Sequence, residues 1–164
     1  FETELNIGDN SNGGVIFYLF QNGDLGFVDG EKHGLVVTET DQESAPWSLD
    51  FTLVGTTEET LGSGPMNTSE IIATLGKGTY AAYVCSDLSL NEYDDWYLPS
   101  KEELNLLYLS NVVSNFTPAN WYYHTSSEAG SENMWVQDMN TGDQRVIGAG
   151  SKTISYSVRP IRTF

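Results

Sequence analysis

The stretch that most invites chemistry is DDWYLPSKEELNLLY at residues 94–108. Asp94 and Asp95 could be read as the carboxylate pair of a glycan-acting hydrolase. That mechanism needs two carboxyls facing one substrate at about 5–9.5 Å. Side chains of adjacent residues point in different directions, so the expectation is an acidic turn before a helix. Glu102 and Glu103 fit the same reading, because acids in a first helical turn complement the macrodipole. His33 and His124 are the two histidines. Neither has a second His or a Cys at ligand spacing, so both are expected to be structural or surface groups rather than metal ligands. Cys85, the single cysteine, can form no internal disulfide. It sits among small and apolar residues in AAYVCSDL, without the positive, accessible setting a reactive thiolate needs. DNSNGG at 9–14 resembles a calcium loop only loosely, since it lacks the register and the terminal glutamate. There is no G-x-S-x-G elbow. The sequence therefore predicts no catalytic residue, and calcium is left open by the surplus of acids.

Around these residues the chain reads as one α+β domain spanning 1–164. At 164 residues, with 39% hydrophobic and 12% aromatic content and 16 glycines, it is long enough to bury a core and rich in turns. VIFYLF (15–20), LGFVD and LVVTE suggest a three-stranded meander, with Asn22-Gly23 as a hairpin signal. Residues 41–66 read as a long irregular excursion. NTSEIIATL and TYAAYVCSDL have helical character, broken between them by Gly76 and Gly78. The clearest helix follows Pro99: Ser100 and Glu103 match the S-x-x-E capping box, and Leu104, Leu107 and Tyr108 share a face. After Pro118, WYYHTSSE, MWVQDMN, QRVIGAG and SYSVRPIRTF read as strands and turns.

The net charge of -16, from 23 acids and 7 bases, repels polyanions at long range, so nucleic acid is not an expected partner. No run approaches 18 apolar residues, and no membrane insertion is expected. The chain starts at Phe1 and is read as a mature product or a domain excised from a longer surface or fibre protein.

The order of motifs resembles the Lcl C-terminal domain family, the terminal domain of bacterial collagen-like adhesins. The matching pieces are GGVIFY at 13–18, EKHGLVV at 31–37, NTSEIIATLGKGTYAAYVC at 67–85, YDDWYLPSKEELNLLY at 93–108, HTSSE at 124–128 and YSVRPIRTF at 156–164. The WYLPSKEELNLLY block and the terminal VRPIRTF are the most specific. The resemblance implies a C-type-lectin-like fold, with two or three helices packed on a small twisted antiparallel sheet with long loops. It also implies that Trp96, Tyr97, Leu98 and Pro99 form a core corner fixing where the helix starts. Two features depart from the family pattern: Tyr123-His124-Thr125-Ser126-Ser127 stands where Trp-Ser-Ser is common, and LFQNGDLGFVDG looks like an insertion. The family's binding of sulfated glycosaminoglycans requires a basic surface, so that ligand class is not expected of this acidic chain.

In C-type-lectin-like domains ligand contact falls in the long loops and strands of the C-terminal half. Here that region holds Trp121, Tyr122, Tyr123, His124, Glu128, Trp135, Gln137, Asp138, Asn140 and Arg145. Aromatic faces suit sugar rings and protein epitopes alike, although Trp121 and Trp135 would serve equally as core. The leading expectation is a non-enzymatic extracellular recognition or adhesion domain at the bacterial cell surface or a fibre tip, binding a glycan or a protein receptor. A structural tip that trimerises a fibre is the alternative. A glycan-acting hydrolase comes third.

Overall fold

The computed structural model describes residues 4–116 and 122–164. It contains nine short strands, three short helices and a 3-10 turn among those residues. The strands are β1 (Asn10–Ser11), β2 (Gly14–Leu19), β3 (Gly34–Val37), β4 (Gln42–Ala45), β5 (Tyr122–Glu128), β6 (Met134–Asp138), β7 (Gln144–Val146), β8 (Tyr156–Val158) and β9 (Ile161–Thr163). The helices are α1 (Gly64–Leu75), α2 (Ala81–Ser86) and α3 (Lys101–Ser110). They build two sheets, ordered β1-β2-β3-β9 and β4-β8-β5-β6-β7. The first is antiparallel throughout. In the second, β5 and β8 run parallel, with Tyr123 opposite Ser157. The mixed α+β class matches the sequence expectation, but the single antiparallel sheet is replaced by two sheets, one of them mixed.

Alternation along β2 and β3 sets the layers. Phe17, Leu35 and Val37 face a core shared with Leu104 and Leu107 of α3 and with Tyr123 and Ile161. Ile16 and Val36 point the other way, into a smaller cluster around Trp96. A third cluster packs Ile71 of α1 and Ala81, Ala82 and Cys85 of α2 against Met134, Val136 and Val158 of the second sheet, with Trp47 and Leu98. Three consecutive residues thus serve three cores: Trp96, Tyr97 and Leu98 each enter a different cluster. The backbone fixes the same corner, because Tyr97 and Ile161 exchange N–H to C=O bonds of 2.9 and 3.1 Å, and Ser126 N–H donates to the Pro99 carbonyl at 2.7 Å. The expected capping box is present, with Ser100 accepting from the Glu103 N–H and the Glu103 carboxyl accepting from the Ser100 N–H at 2.8 Å. The corner joins the layers and starts α3.

One sequence expectation changes. LGFVD at 25–29 forms no strand; β2 pairs directly with β3 across a loop, and β3 takes β9 as its other neighbour. Gly23, Gly26 and Gly30 all have positive φ, which turns the backbone away from extension. Asp24 holds that loop by accepting from the Tyr18 hydroxyl and the Gln21 N–H, both at 2.7 Å. The terminal SYSVRPIRTF forms two strands, β8 and β9. Pro160 cannot donate a ladder hydrogen bond, and around it the chain passes from the second sheet to the first.

Candidate recognition site

The acidic residues before α3 separate as adjacent side chains do. Asp94 is exposed, while Asp95 accepts from both Nε and Nη2 of Arg162, at 2.5 and 2.9 Å. The same guanidinium lies 3.8 Å from the centre of the Tyr93 ring. Arg162 beside it holds the Asp95 carboxyl below the usual carboxylate range. Cys85 is fully buried, and desolvation pushes its thiol up, away from the reactive thiolate. Among the described residues no group of three His, Cys, Asp or Glu is placed to hold a metal ion.

The ten residues singled out in the C-terminal half do not share one surface, because strand residues alternate between faces. Trp121 lies outside the described residues. Tyr123, His124 and Gln137 are buried. Tyr123 donates its hydroxyl to Asp41 at 2.6 Å, and Gln137 donates to Asn105 of α3 at 2.9 Å and to the Gly142 carbonyl at 3.1 Å. These three are internal ties, not ligand contacts. Trp135, on the Gln137 face, is half-buried under the Lys101 ammonium, 3.5 Å from its ring centre. Asp138 accepts from the Asn140 and Thr141 N–H groups, at 2.8 and 3.2 Å, so it shapes the β6–β7 turn on which Asn140 is exposed.

Glu128 is also spoken for. Its carboxylate meets the Lys152 ammonium at 2.6 Å, with side-chain exposures of 4% and 0%. It accepts from the Val54 and Gly55 N–H groups at 2.8 and 2.7 Å, while Lys152 also donates to the Thr52 carbonyl at 3.0 Å. Lys152 further lies 4.6 Å from the centre of the Trp47 ring. The pair therefore fastens the irregular 48–57 segment to the end of β5. A lysine 24 positions from its partner carries no local sequence signature, and the sequence reading missed it.

What remains accessible is a ledge at the sheet margin. Tyr122 opposes Asp138, and Arg145 of the edge strand β7 opposes Val136, which puts Tyr122 and Arg145 on one face, that of the buried Val136 and His124. The Arg145 guanidinium lies 5.7 Å from the Tyr122 ring centre and pairs with Asp143 at 3.0 Å. Tyr156 of β8 stacks edge-on against Tyr122 at 5.9 Å and against His124 at 5.3 Å. Two half-buried tyrosines, their rings nearly perpendicular, and one exposed arginine thus form an aromatic step with a donor fork beside it. Tyr156 was legible only as a strand residue; its place beside Tyr122 comes from the parallel β5–β8 pairing.

His124 supports the step from below. Its Nε2 donates to the Ala45 carbonyl at 2.7 Å, and burial pulls its pKa down to about 4. The folded state therefore refuses a proton that the unfolded chain takes up near 6.5. The stability this contributes is present above pH 6.5 and is lost as pH falls toward 4. The loss is on the order of 3 kcal/mol for this group. The Asp95–Arg162 pair adds in the same direction, since a lowered carboxyl pKa also loses stability in acid. Glu103, raised by burial, acts in the opposite sense. Urea denaturation at pH 7 and pH 4.5 is expected to show the fall, and a His124→Gln variant is expected to show a smaller one.

The described residues define an α+β domain of two small sheets bridged by short helices, with no helix long and apolar enough to cross a membrane. No family model matches the chain, and no curated protein matches it. Its fold is similar to that in the crystal structure of a fimbrial protein from Bacteroides ovatus, with a TM-score of 0.54 and 16% sequence identity over 79% of this chain. The chain spans 35% of that protein's length, so the likeness is to part of it and concerns the fold.

Proposed function

We propose that this chain is a non-enzymatic recognition domain of a bacterial surface or fibre protein, extracellular, and that it binds a glycan or a protein receptor. The observation that carries the reading is the Tyr122–Tyr156 step with Arg145 beside it. Aromatic faces give apolar contact to a sugar ring or an epitope at low entropic cost, and an arginine fork supplies directed donors. The neighbouring polar groups of the strands, Glu128, Gln137 and His124, are held in internal bonds, which keeps the step rigid. The fold likeness to a fimbrial protein supports a fibre-associated setting.

Membership of the Lcl C-terminal domain family, with its C-type-lectin-like fold, belongs to the same reading. It is supported by the way the two most specific motifs meet. WYLPSKEEL and VRPIRTF are joined by the Tyr97–Ile161 backbone pair and by the Asp95–Arg162 ion pair, so they form one structural unit.

The test is a glycan-array screen of the domain in calcium and again in EDTA, with a panel of extracellular matrix proteins alongside. Specific binding that survives EDTA is expected, because the step needs no metal. Binding lost in EDTA would move the site to a calcium-dependent one elsewhere. Absence of any ligand in both panels would overturn the recognition reading and favour a trimerising tip.

A further inference from the structure

Asn-Gly occurs twice in the chain, at 12–13 and at 22–23. A glycine nitrogen, with no Cβ beside it, can close on the side-chain amide carbon of a preceding asparagine, so the sequence marks both sites alike. The structure separates them. At the first, the Asn12 carbonyl accepts from Arg162 Nη1 at 2.8 Å and the Gly13 carbonyl accepts from Asn91 Nδ2 at 2.8 Å. The Asn12 amide donates to Ser11 Oγ at 3.1 Å. Arg162 is itself fixed by Asp95, and the Tyr93 ring lies so close to Gly13 that a Cβ there would run into it. At the second site Asn22 and Gly23 are exposed, and a Cβ at Gly23 would meet nothing. Neither the Asn22 side chain, nor its carbonyl, nor the Gly23 N–H has a hydrogen-bond partner among the described residues. The bonds of this turn run around the 22–23 peptide rather than through it. Asp24 N–H donates to the Gln21 carbonyl at 2.9 Å, and Gln21 N–H donates to the Asp24 carboxylate at 2.7 Å. The central peptide of such a turn can rotate while the flanking bond persists, since turn types I and II differ mainly in its orientation.

We propose that Asn22–Gly23 is a self-modifying site, at which the folded chain converts asparagine to aspartate and isoaspartate through a cyclic imide, while Asn12 is spared. A solvent base takes the Gly23 N–H proton, and the nitrogen attacks Asn22 Cγ to form the Gly23 N–Cγ bond. The Cγ–Nδ2 bond then breaks, and the amide nitrogen leaves as ammonia after taking a proton from solvent. Water opens the imide at either carbonyl. Attack at Cγ restores the normal backbone with an aspartate side chain. Attack at the α-carbonyl leaves the backbone running through Cβ and Cγ, which is isoaspartate. Water enters and ammonia leaves, so the step balances. At Asn12 the same rotation would give up the charge-assisted bond from Arg162, one of the stronger kinds. Either product makes the -16 chain one charge more negative. Isoaspartate also adds a methylene inside the ring that the Gln21–Asp24 bonds close, beside the Asp24 carboxylate that accepts from the Tyr18 hydroxyl at 2.7 Å.

The test ages the folded 164-residue chain in mildly alkaline buffer beside a sample unfolded in urea, and follows both sites by peptide-mapping mass spectrometry. In the folded chain, conversion at Asn22 is expected to run at least about tenfold faster than at Asn12, the rate ratio that the loss of one such bond would produce. In urea the two sites are expected to convert at comparable rates, because both are then unstructured Asn-Gly. Isoaspartyl methyltransferase is expected to label the peptide that contains residue 22. Asn22→Gln, at an exposed position, would have to close a larger ring. It is expected to remove the product at 22 and to leave the rate at Asn12 unchanged. Absence of conversion at Asn22 in the folded chain would overturn the proposal, as would equal rates at the two sites there. Aspartate at 22 without isoaspartate would also overturn it, since direct hydrolysis of the side chain gives that product alone.

Discussion

Trp96→Ala is expected to lower the unfolding free energy by about 3–5 kcal/mol, among the largest effects of any single truncation. The indole is 2% exposed, with Ile16 and Val36 as its buried neighbours, and its removal opens a cavity at the point where three cores meet. Tyr97 and Leu98, one and two residues on, are anchored in the other two clusters. Slack at 96 is therefore passed to the start of α3 and to the β9 pairing. A globular domain has about 5–15 kcal/mol in hand, so this one substitution takes a large fraction of it. Trp96→Phe is expected to be much milder. The Trp96 Nε1–H is buried without a partner among the described residues, so the phenylalanine keeps an aromatic ring in the cluster and removes an unsatisfied donor. Leu109→Ala, at a position 66% exposed, serves as control and is expected to stay within about 0.5 kcal/mol of wild type. Urea denaturation of the three variants measures all of this. Similar stabilities for Trp96→Ala and Leu109→Ala would remove the corner from its structural role.

Glu128→Ala is expected to cost about 3–5 kcal/mol, the usual loss when one partner of a buried ion pair is removed. It strands the Lys152 ammonium at 0% exposure and strips the Val54 and Gly55 N–H groups of their acceptor. Lys152→Met is expected to be less damaging, because the carboxylate keeps both N–H donors and the methionine fills most of the space. The two changes share one network, so the double variant is expected to be more stable than the sum of the singles by more than about 1 kcal/mol. Amide exchange gives the local readout: protection across residues 50–57 is expected to fall more than protection in α3. Uniform loss over the whole chain would mean that the pair stabilises the domain without fastening that segment.

How much of this was legible in the sequence depends on the range of the cause. The capping box of α3 and the role of Pro99 are local, and Ser100 and Glu103 stand where the pattern puts them. The placement of Trp96, Tyr97 and Leu98 in three separate clusters is not local; spacing shows them as apolar but not where each points. LGFVD reads as a strand by composition, yet Gly23, Gly26 and Gly30 at positive φ make it a loop. The buried cations were invisible for the same reason of range. Arg159 finds Asp41 across 118 positions, and Arg162 finds Asp95 across 67, and nothing near either residue marks the partner. The candidate site was legible as a region. Its residues were drawn from consecutive strand positions, which a period of two divides between two faces, both of them covered. Tyr122 and Arg145 share the face of the buried Val136 and His124 and keep exposure only at its margin, whereas Tyr123 and Gln137 lie on the opposite buried face. His124 shares the face of Tyr122 but is covered by Tyr156.

The measurement closest to the central claim is the affinity of the ligand that the array or protein panel selects, compared between wild type and Tyr122→Ala. Arg145→Ala serves as a second variant and Leu109→Ala as the surface control. The account predicts at least a tenfold loss for Tyr122→Ala, a smaller loss for Arg145→Ala and none for the control, with the Tm of each close to wild type. Equal affinity in wild type and Tyr122→Ala would contradict it, and would place recognition on a different surface of the domain.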